Sequence, residues 1–271
     1  MKGENMFNVL TGKVMFLDEK YTEAAECFLE CAREGDAESA FHYGYMLMNG
    51  IGVEENPKEA VRFFNYAREQ IGEANYNLAV LYLHGVGVKR DYNKCYSYMR
   101  EAAVKGVVEA QIYLGVAHSM GSLFEPDIVA ISMLPYHTPI YRDSFAYIEG
   151  NMDYDLIDEE LRIRAARLDP RRAFEFFRAA ALNKNYYTKE LVAKSRYLYA
   201  RCFLDGLGVE ANREEGERVM LIAAASGSDE AMHYISTEAP YLLSDKRYSN
   251  ITKYITADKF LENKRLGNNN E

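Results

Sequence analysis

Small and apolar residues recur along this chain at helical spacing, in pairs of short runs. Ser39, Tyr43 and Leu47 stand at i, i+4 and i+8, and Ala60, Phe64 and Ala67 form a second stripe. The first run predicts a helix over 37–48 and the second a helix over 57–69. Between them lie Gly50-Ile51-Gly52-Val53 and a helix start at Asn56, with Pro57 at the first helical position and Glu59 placed for a capping box. The pattern then returns. Gly85-Val86-Gly87-Val88 lies 35 residues after the first glycine loop, and Gly206-Leu207-Gly208-Val209 is a third copy. Ala74, Leu78, Ala79 and Tyr82 repeat the first stripe, with Cys95, Met99 and Ala102 facing them behind an Asp91 cap. Ser195, Tyr199, Ala200 and Phe203 repeat it again, with Gly216, Met220 and Ala223 behind an Asn212 cap.

Two helical runs per period mean stacked helical hairpins, each burying its apolar stripe on its neighbours. The expected fold is all-α: a right-handed superhelical α/α solenoid of about five hairpins with a C-terminal capping helix. Residues 1–271 are expected to form a single repeat domain. Gly52, Gly87 and Gly208 are expected where φ is positive or the backbone is crowded. The first hairpin is a variant: Gly12, Tyr21, Ala24, Phe28 and Cys31 keep the columns, but the glycine loop is missing. The fourth is interrupted. Ala110, Leu114, Gly115 and His118 form its first helix, and the second resumes at Asp169-Pro170 with Ala173, Phe177 and Ala180. Gly115 to Ala173 is 58 residues where Gly44 to Ala60 is 16, so 42 extra residues sit between the two helices. This insertion, at about 122–168, holds Pro126, Pro135 and Pro139, which predict irregular chain, and a helically spaced stretch over 156–168. It also carries an acidic run from Asp153 to Glu160, read as a solvated helix start. A last first-helix follows Ala231 and breaks at Pro240, and the tail at about 240–271 is read as the cap over the open apolar end.

The short turn of the first hairpin resembles the tetratricopeptide repeat. The Gly-x-Gly-Val loop, the Asn56, Asp91 and Asn212 caps, and the Ala102-Ala103 and Ala223-Ala224 pairs resemble the Sel-one-like repeat, or SLR, its longer-looped relative. The resemblance covers roughly residues 6–236 outside the insertion. It implies an adaptor for signalling or for assembling complexes. A cysteine-rich branch of that family is linked to binding or hydrolysis of β-lactam-type cell-wall compounds. That branch is secreted and pairs its cysteines within each repeat, and this chain departs from it on both counts.

Charge narrows the partners. Lys and Arg number 32 against 41 Asp and Glu, a net charge of −9, so nucleic acid and anionic membrane are poor partners. No apolar run reaches membrane-spanning length and the first residues lack a signal-peptide core, so the expected location is the cytoplasm. Cys27, Cys31, Cys95 and Cys202 have no metal spacing and fall on apolar columns, which predicts buried thiols. The glycine loops lack the third glycine and the strand that a dinucleotide fingerprint requires. None of the five histidines is paired at i, i+3 or i+4, and no nucleophile–base order is present. No metal, no cofactor and no catalytic residue is expected; His118 is expected to pack.

The remaining columns of the first helices point elsewhere. In tetratricopeptide-type arrays that helix lines the concave side. One column holds Glu38, Glu73 and Glu109, broken by Lys194; a second holds Phe41, Tyr76, Ile112 and Tyr197; a third holds His42, Asn77, Tyr113 and Leu198. Tyr45 and Arg201 share a fourth. The candidate peptide-binding residues are Glu38, His42, Tyr45, Glu73, Asn77, Glu109, Tyr113 and Arg201. Asn77 suits a peptide backbone, tyrosines give flat apolar contact, and the glutamates suit basic side chains. The competing reading is that the Phe41 column packs between hairpins and the glutamates only bias helix starts. The expected partner is a protein or extended peptide, a basic one fitting the acidic row, with self-association through an exposed end left open.

Overall fold

The computed structural model describes residues 8–121, 168–184 and 189–255. Twelve α-helices and no strand occur among them. They are α1 (Val9–Leu17), α2 (Tyr21–Arg33), α3 (Ala37–Asn49), α4 (Pro57–Ala67), α5 (Gly72–His84), α6 (Tyr92–Val104) and α7 (Val108–Met120). After the insertion come α8 (Pro170–Ala181), α9 (Lys189–Asp205), α10 (Arg213–Ala225), α11 (Asp229–Thr237) and the one-turn α12 (Ser249–Thr252). The described residues fall into two compact units, 8–110 and 111–121 with 168–255, the boundary falling inside α7. In each unit consecutive helices pack antiparallel in pairs, α3 on α4 and α5 on α6 in the first, α8 on α9 and α9 on α10 in the second.

Helix starts follow the predicted caps. Asn56 Oδ1 accepts from the Glu59 amide at 3.1 Å, and its Nδ2 donates to the Glu59 carboxylate at 3.2 Å, so the cap is held by both the backbone and the side chain of Glu59. Asp91, Asp169 and Asn212 likewise accept from the backbone amides of Lys94, Arg172 and Glu215 at the starts of α6, α8 and α10, at 3.0–3.1 Å. Each such bond satisfies an amide left without an intrahelical partner, worth about 1 kcal/mol.

Two glycines per loop do different work. The first ends the helix: Gly50, Gly85 and Gly206 have φ of 64°, 72° and 72°. The second lets the loop lie on the preceding hairpin. A Cβ on Gly52 would stand 2.4 Å from the Tyr21 carbonyl at the start of α2, and one on Gly87 would stand 2.6 Å from the Pro57 carbonyl carbon at the start of α4. On Gly208 it would meet the Pro170 carbonyl oxygen at 2.0 Å. Backbone therefore rests on backbone, and neighbouring hairpins are fixed by a contact that no side chain could make. Ile51 is buried beside this seat, with Val53, Val86 and Val88 packed against the same core.

A second rule governs the two helices within a hairpin. A Cβ on Gly12, Gly44 or Gly115 would meet the ring of Phe28, Phe64 or Phe177 at 2.6, 3.0 or 2.5 Å. In the other hairpins the corresponding residues are Ala79 with Met99 and Ala200 with Met220, all buried. Glycine thus faces a phenyl ring, and alanine faces the more compliant methionine, keeping the volume between helices filled.

The interrupted hairpin closes like the others. In regular loops the cap residue's amide returns to the first helix, Asn56 to the Leu47 carbonyl at 2.8 Å and Asp91 to the Tyr82 carbonyl at 3.0 Å. Asp169 returns to the His118 carbonyl at 2.9 Å, and Gly121 faces Leu168 as Gly50 faces Glu55. The extra chain leaves and re-enters at the two ends of an ordinary loop. The expectations for the prolines, the acidic run and the helical stretch over 156–168, apart from Leu168 itself, lie outside the described residues. At the C-terminal end the tail covers α10 and α11 with Leu242, Tyr248 and Ile251. Up to residue 255 it does so with two 3₁₀ turns and α12. Pro240 opens the first turn, and the Asp245 carboxylate takes up the Arg247 amide at 2.9 Å, fixing a local turn.

Candidate functional site

The first helices of the hairpins carry the predicted columns. Glu38, on α3, is half-exposed and paired with Lys13 of α1. Lys13 was not among the sequence candidates. It follows Gly12 as Tyr45 follows Gly44, so column alignment places it beside them. His42, one turn after Glu38, stacks on Phe28 with ring centroids 4.9 Å apart. Burial, with Lys13 nearby, pushes its pKa down to about 4, so the ring is neutral at pH 7 and the 3.9 Å approach to Glu38 is not an ion pair there.

One repeat on, Glu73 and Asn77 lie one turn apart on α5. Glu73 is partly exposed. Asn77 is 1% exposed, and neither its Nδ2 nor its Oδ1 has a hydrogen-bond partner. Each such buried group costs about 1–3 kcal/mol, so this amide is a debit that a regular core would not keep. Glu109, at the first turn of α7, is 5% exposed with Oε2 unpartnered. Burial, and then the charge of Glu73, pushes its pKa up to about 7. Its charge in turn acts on the buried Tyr76 phenol, which burial already raises well above the usual tyrosine range. Glu73, Tyr76 and Glu109 are thus coupled electrostatically, and Asn77 lies one turn from Glu73 on the same helix.

Five candidates differ from the expectation of an open row, four by burial and one by an ion pair along its own helix. Tyr45, 3% exposed, belongs to the core cluster with Met46 and Leu47, so its column packs as well. Asn77 and Glu109 are buried as described. Tyr113, in the second unit, is 1% exposed. Arg201, also in the second unit, binds Asp205 one turn along its own helix through two bonds of 2.9 and 3.0 Å. The Phe41 column is buried at Phe41, Tyr76 and Ile112, as its packing reading has it. The sequence pattern ranked columns by spacing alone, and spacing does not distinguish a flank covered by a neighbouring hairpin from one left open.

Other chemistry is quiet. All four cysteines are free and buried. His118 is buried and stacked on Phe176 at 5.8 Å. Among the described residues no group of His, Cys, Asp and Glu is placed to hold a metal ion, and no helix is long and apolar enough to cross a membrane.

Helical hairpins joined by Gly-x-Gly loops, each loop seated on the hairpin before it, define a repeat protein of the helix-pair class. The model of the Sel1 repeat matches residues 37–70, 72–107, 108–130, 164–185 and 193–228, more than half the chain, and the chain belongs to that family. Sel1 repeats typically mediate protein interactions. Among solved structures, the chain is similar to a Sel1 repeat protein from Oxalobacter formigenes, with 16% identity, coverage of 97% of this chain and 100% of that one, and a TM-score of 0.64. A protective antigen of uropathogenic Escherichia coli strains displaying an SLR fold matches at 17% identity over 96% of this chain and 60% of that one, with a TM-score of 0.38. No curated protein sequence matches the chain.

Proposed function

We propose that the protein is a non-catalytic adaptor that binds an extended, basic peptide segment of a protein partner along the α3 and α5 face of its first unit. The acidic row carries this reading: Glu38 is half-exposed and Glu73 partly exposed, so both carboxylates keep surface that a cationic side chain can meet. Asn77, one turn from Glu73, is buried with its amide unpartnered, and a peptide group pairs with it only if that flank opens. The neighbouring repeat supports the charge preference, since the chain's own Lys13 fills the corresponding place at Glu38. Tyr113 and Arg201 belong to the same set of columns, and their part in binding is proposed on column position alone. Free thiols suit a reducing compartment, and the cytoplasm is the proposed location. They do not suit the disulfide-paired branch linked to β-lactam compounds.

The test is capture of partners from the source cell on immobilised protein, wild type beside Asn77→Ala and Glu73→Gln. Expected is a partner retained by wild type, weakened about tenfold or more by either substitution and released as salt rises. A partner retained equally by all three proteins would place the binding surface elsewhere.

A further inference from the structure

The second unit contains a cavity of about 480 Å³, lined by Lys189, Val192 and Arg196 of α9, by the end of α10 at Ser226, by Met232 of α11 and by Ile255 of the tail. Its size falls within the range of small-molecule sites. Lys189, Val192 and Arg196 stand at i, i+3 and i+7, one face of α9, so both cations look into the same space. Arg196 Nη1 donates to Ser226 Oγ, and the Ser226 hydroxyl donates onward to the Ile222 carbonyl at 2.7 Å. The serine is thereby held as an acceptor and fixes the guanidinium. A guanidinium has five N–H donors, and this bond uses one. Among the described residues no carboxylate pairs with Arg196 or Lys189. Half-burial without a counter-charge disfavours the cation, and the Arg196 pKa is lowered by that desolvation. The rest of the named lining is apolar: Met232 is fully buried, and Val192 and Ile255 are partly so. The carbonyl end of α10 is partially negative, but two full positive charges outweigh it.

We propose that this cavity is a binding site for a carboxylate carried on a short apolar body, with Arg196 as the principal anchor, Lys189 as the second cation, and Val192, Met232 and Ile255 as the apolar wall. The first helices of the first unit carry Glu38, Glu73 and Glu109 in one column, and the corresponding residue of α9 is Lys194, two residues before Arg196. The two units thus present opposite charge preferences, and this site stands independently of the peptide face around Asn77.

Hexanoate, hexanamide and inorganic phosphate are titrated into the full-length protein, with amide resonances of Ser226, Gly227 and Met232 followed by NMR. Hexanoate is expected to shift these resonances saturably and hexanamide to leave them unmoved. Arg196→Gln should weaken hexanoate by about tenfold or more, the loss expected for a charge-assisted contact, and Lys189→Gln by a smaller factor. A circular dichroism spectrum checks that Arg196→Gln still folds. Lys189 is exposed, so its variant provides the reading if Arg196→Gln does not. A peptide with a free C-terminal leucine that competes with hexanoate assigns the carboxylate to a chain end; failure to compete assigns it to a free acid, and both keep the site. Equal binding of hexanamide, phosphate binding as tight as hexanoate, or hexanoate binding unaffected by loss of either cation overturns the proposal.

Discussion

Gly85 and Gly87 share almost the same φ, 72° and 69°, so strain from the left-handed region is common to both. They differ in what a side chain would meet. At Gly85 the nearest atoms are the Arg90 Cβ and amide nitrogen at 3.3 Å, close but able to give by a few tenths of an ångström. At Gly87 the nearest are the Pro57 carbonyl carbon at 2.6 Å and the Lys58 nitrogen at 2.7 Å, both backbone in the capped first turn of α4. Reaching ordinary contact there means separating the loop from α4 by roughly 0.8 Å, which lifts Val86 and Val88 from the core they pack against. Gly85→Ala is therefore expected to cost about 1 kcal/mol, the left-handed penalty alone. Gly87→Ala adds an overpacking term and is expected to cost about 2–4 kcal/mol in all. Urea unfolding followed by far-UV circular dichroism measures the difference, and amide exchange over α4 and α5 locates it. Repeat arrays can lose cooperativity, so the local exchange is the firmer reading. Equal destabilisation by the two substitutions would refute the idea that the second glycine is a seat between hairpins.

Gly115→Ala should destabilise by about 1–3 kcal/mol despite the better helix propensity of alanine, because its Cβ enters the Phe177 ring; Gly115→Ala with Phe177→Met should recover most of the loss in a double-mutant cycle of urea midpoints. Glu109 has a folded pKa of about 7, above its unfolded value, so its contribution is most favourable below about pH 4.5 and is lost as pH rises through 7. Glu109→Gln should therefore stabilise the protein by about 1–3 kcal/mol at pH 8 and by little at pH 4.5, read from melting curves at the two pH values. The buried thiols, with Cys95 raised by burial and Cys202 at about 12 for the same reason, should react with Ellman's reagent only after denaturation. Fast labelling of the native protein would show that the hairpins open.

The repeat was legible because its parts are local. Asn56, Pro57 and Glu59 specify a helix start within four residues, and Gly50 and Gly52 specify a turn within three, so those expectations needed no knowledge of distant chain. The pairing of Gly115 with Phe177 was partly legible: glycine signalled close approach, while its partner emerged only from contact across the insertion. Burial of Tyr45 and Asn77 was not legible. Both sit on flanks whose exposure depends on neighbouring elements, and one sequence carries no register for that. The Lys189 and Arg196 cavity was missed for a similar reason, since its walls come from α9, the end of α10, α11 and the tail.

The Asp169 amide bonded to the His118 carbonyl, with Leu168 against Gly121, makes the insertion point a closed gate in the frame. The helices on either side are held by the closing bond of an ordinary loop. Chain entropy adds little there, because the cost of closing a loop grows only with the logarithm of its length. That junction is therefore a graft position: selection or design can exchange the 42 extra residues for none, or for others of a different length, while α7 and α8 keep their register.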